Sequence, residues 1–172
     1  MSTSTESTAK TTKPGLKRRI NPEIMGLVTQ TVKNAEPYYV KRGLPAEQME
    51  ALYAAGYNFY SAGRYEDACN IFRLLCSYEH TNPRNWIALG GASQHVNNHR
   101  SAGAAFTFAA ILNPRDPVPQ IHAVDSFIAL KDFAQAAHSA KAVVALCGDN
   151  PDYAPLKSRA QGLLEALNAR LN

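Results

Sequence analysis

At 172 residues, with 45% hydrophobic and 19% charged positions, the chain has room for one well-cored domain rather than two. Its net charge of +4 is concentrated in residues 1–21, where Lys10, Lys13, Lys17, Arg18 and Arg19 face only Glu6; the neutral remainder lacks the basic face that nucleic-acid binding requires. Cys69, Cys76 and Cys147 are odd in number and lack C-x-x-C spacing, and no run approaches about 18 apolar residues, which argues against a disulfide framework, a zinc knuckle and a membrane span.

Residues 1–21 mix Ser, Thr and Lys with Pro14 and Gly15 and offer little to bury, so a disordered basic tail is expected there. Lys17-Arg18-Arg19 reads as a solvated charge run. Asn21-Pro22-Glu23 has the chemistry of a helix start: a side-chain cap, a proline in the first turn and an acid at the positive end of the helix dipole. Ile24, Leu27, Val28 and Val32 follow at helical spacing, and Pro37 stops or kinks that helix near Glu36. This segment, 22–43, is expected to be an N-terminal helix.

From Leu52 onward the chain repeats with a period of 34 residues. Leu52, Trp86 and Gln120 align, as do Ala55, Leu89 and Ala123, then Gly56, Gly90 and Val124, and Phe59, Ser93 and Phe127. Further along come Tyr65, His99 and Phe133, then Ala68, Ala102 and Ala136, and Phe72, Phe106 and Ala140. Trp86-x-x-Leu89-Gly90, Ala102, Phe106, Ala109 and Pro114 fit the tetratricopeptide-repeat signature. Each copy makes two antiparallel helices whose small residues permit close approach while aromatics fill the gaps. Gly63-Arg64, Asn97-Asn98 and Lys131-Asp132 make the turns within the pairs.

The spacing predicts helices near 45–61, 64–77, 83–95, 99–112, 117–129 and 132–146, and a final helix near 152–170 that buries Leu156, Leu163, Leu164 and Leu167. The fold class is all-α: a tetratricopeptide-repeat superhelix of three helix pairs, with an N-terminal helix and a C-terminal capping helix. Within 44–150 the repeats run over about 49–82, 83–116 and 117–150, and the cap over 151–172.

In such a stack the first helix of each pair lines the concave surface. Leu52, Ala55, Gly56 and Phe59 form the inward set of the first repeat, whereas Tyr53, Tyr57 and Tyr60, spaced i, i+4, i+7, share another face that should line a groove. The equivalent positions are Ile87, Gly91 and Gln94, then Ile121, Asp125 and Ile128. Tyrosines beside Ile and Gly make an apolar groove edged with hydroxyls, suited to an extended peptide with aliphatic or Pro anchors.

The run Leu52-Tyr53-Ala54-Ala55-Gly56-Tyr57-Asn58-Phe59-Tyr60-Ser61-Ala62-Gly63-Arg64-Tyr65-Glu66-Asp67-Ala68, followed by Phe72-x-x-Leu75-Cys76, resembles the first repeat of the class II chaperones of bacterial type III secretion. Leu89-Gly90-Gly91-Ala92 and His122-Ala123 stand where similar stretches occur in that family, and the likeness covers roughly 22–150. It implies a cytoplasmic bacterial chaperone that keeps one or two hydrophobic translocator proteins soluble and apart before secretion. It also implies that Tyr53, Tyr57 and Tyr60 match the family's groove aromatics, and that the helix from Pro22 matches a segment through which such chaperones dimerise. The family is commonly acidic, whereas this chain has a pI near 9.0, a difference for which the basic tail accounts.

The alternative is a general tetratricopeptide adaptor outside secretion. A clamp for an acidic C-terminus needs Lys and Asn where this chain has Tyr53 and Tyr57, so a carboxylate ligand lacks its charge partners. No catalytic residue, metal site or cofactor is expected. His95 and His99 straddle the Asn97-Asn98 turn without a Glu or Asp in an H-E-x-x-H arrangement, and Cys69 and Cys76 read as buried packing residues. The partners expected are the translocators and a second copy of the chain, with no nucleic acid and no direct membrane insertion.

Overall fold

The computed structural model describes Pro37, Val40, Arg42, Gly43 and residues 45–171. The tail expected over 1–21 and the helix expected from Pro22 lie outside the described residues. Among the described residues, seven α-helices follow one another: α1 (Ala46–Ser61), α2 (Tyr65–Tyr78), α3 (Pro83–His95), α4 (His99–Leu112), α5 (Val118–Ala129), α6 (Phe133–Cys147) and α7 (Ala154–Leu171), the last preceded by a short 3₁₀ turn at Pro151–Tyr153. Each end lies within two residues of the position that the sequence predicts. There is no strand among the described residues.

The helix ends have local causes. The Asn82 side chain accepts from the Arg84 amide with Pro83 in the first turn, Asn98 accepts from Ser101, and Asp132 accepts from Gln135. Inside each pair the turn is the same device repeated at the period of the sequence. Gly63, Asn97 and Lys131 adopt positive φ of 74°, 57° and 59°. The next residue then donates back across the helix end: Arg64 to the Phe59 carbonyl, Asn98 to Ser93 and Asp132 to Phe127, each at 2.9 Å.

Each helix packs on the next in chain order. The α1–α2 and α3–α4 pairs close where glycine faces phenylalanine. A Cβ on Gly56 would lie 2.8 Å from the Phe72 ring, and one on Gly90 would lie 2.7 Å from the Phe106 ring. In the α5–α6 pair the corresponding residues are Val124 and Ala140, both fully buried. The core has two main parts, one centred on Phe72, Leu75 and Leu89, the other joining Ile121, Val124 and Val143 to Ala160 and Leu167 of α7.

Neighbouring first helices are also tied edge to edge. Arg84 Nη1 donates to both carboxylate oxygens of Glu50 at 3.0 and 3.1 Å, and Arg159 Nη2 donates to Asp125 at 2.7 Å. Both pairs are separated by 34 residues, so α7 stands where the first helix of a fourth repeat would stand.

Candidate functional site

The first helices α1, α3 and α5 enclose a cavity of about 390 Å³. From α1 come Tyr53, Tyr57 and Tyr60, set on one face by their spacing. From α3 come Ile87, Ala88, Gly91, Gln94 and His95, and from α5 comes His122. Phe72 of α2 and Phe106 of α4 reach through from the second layer, under the glycines, to form part of the wall. A shallower depression lined by Glu50, Ala54 and Arg84 shares Tyr53 and Tyr57 with this cavity, so the tyrosines border both.

The walls are fixed by ring contacts. Tyr53 lies 5.5 Å from Phe72, with the Arg84 guanidinium 3.6 Å over its ring. Tyr60 meets Tyr65 and His95 edge-on, both at 5.3 Å, and His95 stacks on Tyr65 at 4.2 Å. Burial, with Tyr65 and Tyr57 beside it, raises the Tyr60 phenol above its ordinary pKa. Tyr57 is the open edge, with 57% of its surface exposed. At the far end the His122 ring stacks on Phe106 at 5.1 Å. Burial lowers its pKa against the opposing pull of Asp125, with Arg159 adding to the lowering. A neutral imidazole at this position keeps the cavity apolar near pH 7.

One polar side chain is held rigidly at the rim. Gln94 Nε2 donates to the His122 carbonyl at 3.3 Å and to Ser126 Oγ at 3.0 Å, while the Ser126 hydroxyl donates to the same carbonyl. Its Oε1 has no hydrogen-bond partner among the described residues.

Of the nine groove positions predicted from the repeat register, the structure brings six together: Tyr53, Tyr57, Tyr60, Ile87, Gly91 and Gln94. The third-repeat positions are different. Ile121 is 1% exposed and belongs to the core that includes α7 residues, so its assignment to the groove is corrected. The C-terminal helix continues the stack and closes over that side of the third repeat. Asp125 is held by Arg159, and Ile128 packs against the same core, so neither borders the cavity. Register reasoning missed Ala88, His95, Phe72, Phe106 and His122. One signal for two of them was present: Ala54, Ala88 and His122 are equivalent at the 34-residue period, each one position beyond the row of Tyr53, Ile87 and Ile121.

Among the described residues, no three His, Cys, Asp or Glu side chains converge as a metal site would, and no helix is long and apolar enough to cross a membrane. The three cysteines are buried free thiols, and burial pushes Cys76 up to about 12, which removes it as a nucleophile near neutral pH.

The tetratricopeptide-repeat family profile matches residues 49–82, the α1–α2 unit and the turn after it. The low calcium response locus protein H of Yersinia pseudotuberculosis is 27% identical over 127 residues, covering 74% of this chain and 76% of that protein. Chaperone protein SicA of Salmonella typhimurium is 28% identical over 125 residues, covering 73% of each. PcrH, a Pseudomonas aeruginosa protein whose structure was solved with the chaperone-binding region of PopD, superposes with a TM-score of 0.68 at 32% identity, covering 76% of this chain and 98% of PcrH. These relatives form a non-enzymatic family, and the general-adaptor alternative is not favoured. With its helix order, its tyrosine-lined concave cavity and its likeness to PcrH over nearly all of the solved PcrH chain, the chain belongs to the class II, tetratricopeptide-repeat chaperones of type III secretion translocators.

Proposed function

We propose that this protein holds an extended segment of one or two hydrophobic translocator proteins in the concave groove of α1, α3 and α5, keeping them soluble and apart in the bacterial cytoplasm before secretion. The observation that carries the reading is the row of Tyr53, Tyr57 and Tyr60 opening onto an apolar cavity shared with α3 and α5. Such a surface suits aliphatic or proline anchors on an extended chain, and its hydroxyls supply directional bonds at the edges. Ile87, Gly91 and Gln94 belong to the same proposed site, and Asp125 and Ile128 lie beyond its C-terminal end. The division into a tail over 1–21, a dimerisation segment over 22–43, repeats over about 49–82, 83–116 and 117–150 and a cap over 151–172 is part of this proposal, as is a homodimer through the N-terminal segment.

The test is co-expression with a candidate translocator encoded in the same genome neighbourhood, comparing wild type with Tyr53→Ala/Tyr57→Ala/Tyr60→Ala after circular dichroism has shown the variant to be folded. Soluble complex with the wild type, reduced at least tenfold in the variant, is the expected result. Client solubility unchanged by the wild-type chain would overturn the function. Equal recovery with both chains would move the binding site elsewhere.

A further inference from the structure

Three glycines lie inside the groove-lining helices, and their surroundings differ. Gly56 and Gly90 are required by packing, since a Cβ on either would run into a phenylalanine ring at 2.8 or 2.7 Å. Gly91 has no such cause. Its φ is not positive, and a Cβ built on it meets nothing nearer than the Tyr60 hydroxyl at 4.0 Å. Glycine is the weakest helix former after proline, and this one sits well inside α3, so alanine would serve the fold better. What Gly91 does border is the cavity. Gln94, one turn further along the same face, points a locked amide there with its Oε1 unbonded among the described residues.

We infer that Gly91 is a specificity-determining residue of the groove: its missing side chain lets the main chain of a bound client lie against α3, within reach of Gln94 Oε1. The inference rests on the chaperone reading above and adds to it the residue that selects the client's conformation. An extended client brings a backbone N–H to Gln94 and sets an aliphatic side chain between Tyr60, Ile87 and His122. A helical client has its N–H groups bonded internally and gains nothing from the open backbone. A side chain at position 91 would occupy the space that the extended main chain needs.

Gly162 supplies the control. It lies within α7 with nothing within 4 Å of its Cβ position, and it does not border the cavity. The experiment uses the full chain with a fluorescein-labelled peptide of the PopD chaperone-binding region, and reads Kd by anisotropy and Tm by calorimetry for Gly91→Ala, Gly91→Leu and Gly162→Ala. Both alanine variants should raise Tm by roughly 2–4 °C through helix propensity. Gly162→Ala should bind as the wild type does, Gly91→Ala about tenfold more weakly, and Gly91→Leu not detectably. Unchanged affinity in both Gly91 variants would overturn the inference and leave the chaperone reading standing. A lower Tm in Gly91→Ala would overturn it by giving the glycine a packing role. Absence of peptide binding by the wild type would instead overturn the groove reading itself.

Discussion

In the first two repeats the closest approach of paired helices is filled by glycine on one side and phenylalanine on the other, Gly56 with Phe72 and Gly90 with Phe106, whereas the third repeat has Val124 and Ala140 at the same places. Both arrangements fill the interior, but they leave different concave surfaces. Where a phenylalanine passes beneath a glycine, its ring reaches the groove and forms part of a cavity wall. Where bulk sits on the first helix instead, no ring comes through from the second layer, and Ile121 turns into the core with α7. The cavity therefore belongs to the repeats with the glycine–phenylalanine pairing, and the third repeat contributes only its edge at His122.

The largest expected effect comes from exchanging one arrangement for the other. Phe106→Ala should cost about 3–5 kcal/mol in urea unfolding and open the cavity wall. Gly90→Val alone should cost roughly 1–3 kcal/mol by overpacking against the same ring. The double variant transplants the third repeat's arrangement into the second and should recover about 1–2 kcal/mol of the combined loss through coupling of the two sites. Losses that simply add would show that the two arrangements are not interchangeable.

A smaller effect distinguishes the turns. Gly63 holds a φ of 74° that suits glycine, while Lys131 holds 59° in the equivalent turn with a full side chain. Gly63→Ala should destabilise by about 1 kcal/mol, and Lys131→Gly should stabilise by somewhat less than that, because glycine also loses more freedom on folding. Matched unfolding curves check this, and a loss of stability in Lys131→Gly would break the equivalence of the turns.

The smallest effect is a pH dependence that the third repeat alone introduces, since His122 stands where the first two repeats have Ala54 and Ala88. Burial depresses its folded-state pKa, so the fold prefers the neutral ring. Well above its ordinary pKa of about 6.5 neither state carries the proton; as the pH falls through that value the unfolded chain takes it up first, and stability declines. Tm should therefore drop between pH 7.5 and pH 5.5, and less steeply in His122→Gln. An identical slope in the two proteins would remove His122 from the account.

Most of the helical architecture was legible in the sequence because its punctuation is chemical: Gly63, Asn97 and Lys131 recur at one period, and Asn82, Asn98 and Asp132 cap the helices that follow. The tyrosine face was legible as well, since periodicity fixes which residues share a side of a helix. Periodicity does not say what lies against that side. Ile87 and Ile121 occupy the same register position, yet only Ile87 borders the cavity, because Ile121 falls within the core shared with α7. The contributions of Phe72 and Phe106 were hidden for a related reason: rings assigned to the core extend through it to its other surface.

The ion pairs Glu50–Arg84 and Asp125–Arg159 span an identical 34 residues, one between α1 and α3 and the other between α5 and α7. Their common stride makes the molecule a ruler graduated in whole repeats, with α7 set at the place of a first helix on the next graduation. A chain built this way can lengthen or shorten its grip on a ligand only in steps of one helix pair. In the proposed groove, the span of translocator sequence held is accordingly set by how many repeats carry the glycine–phenylalanine pairing rather than by the loops.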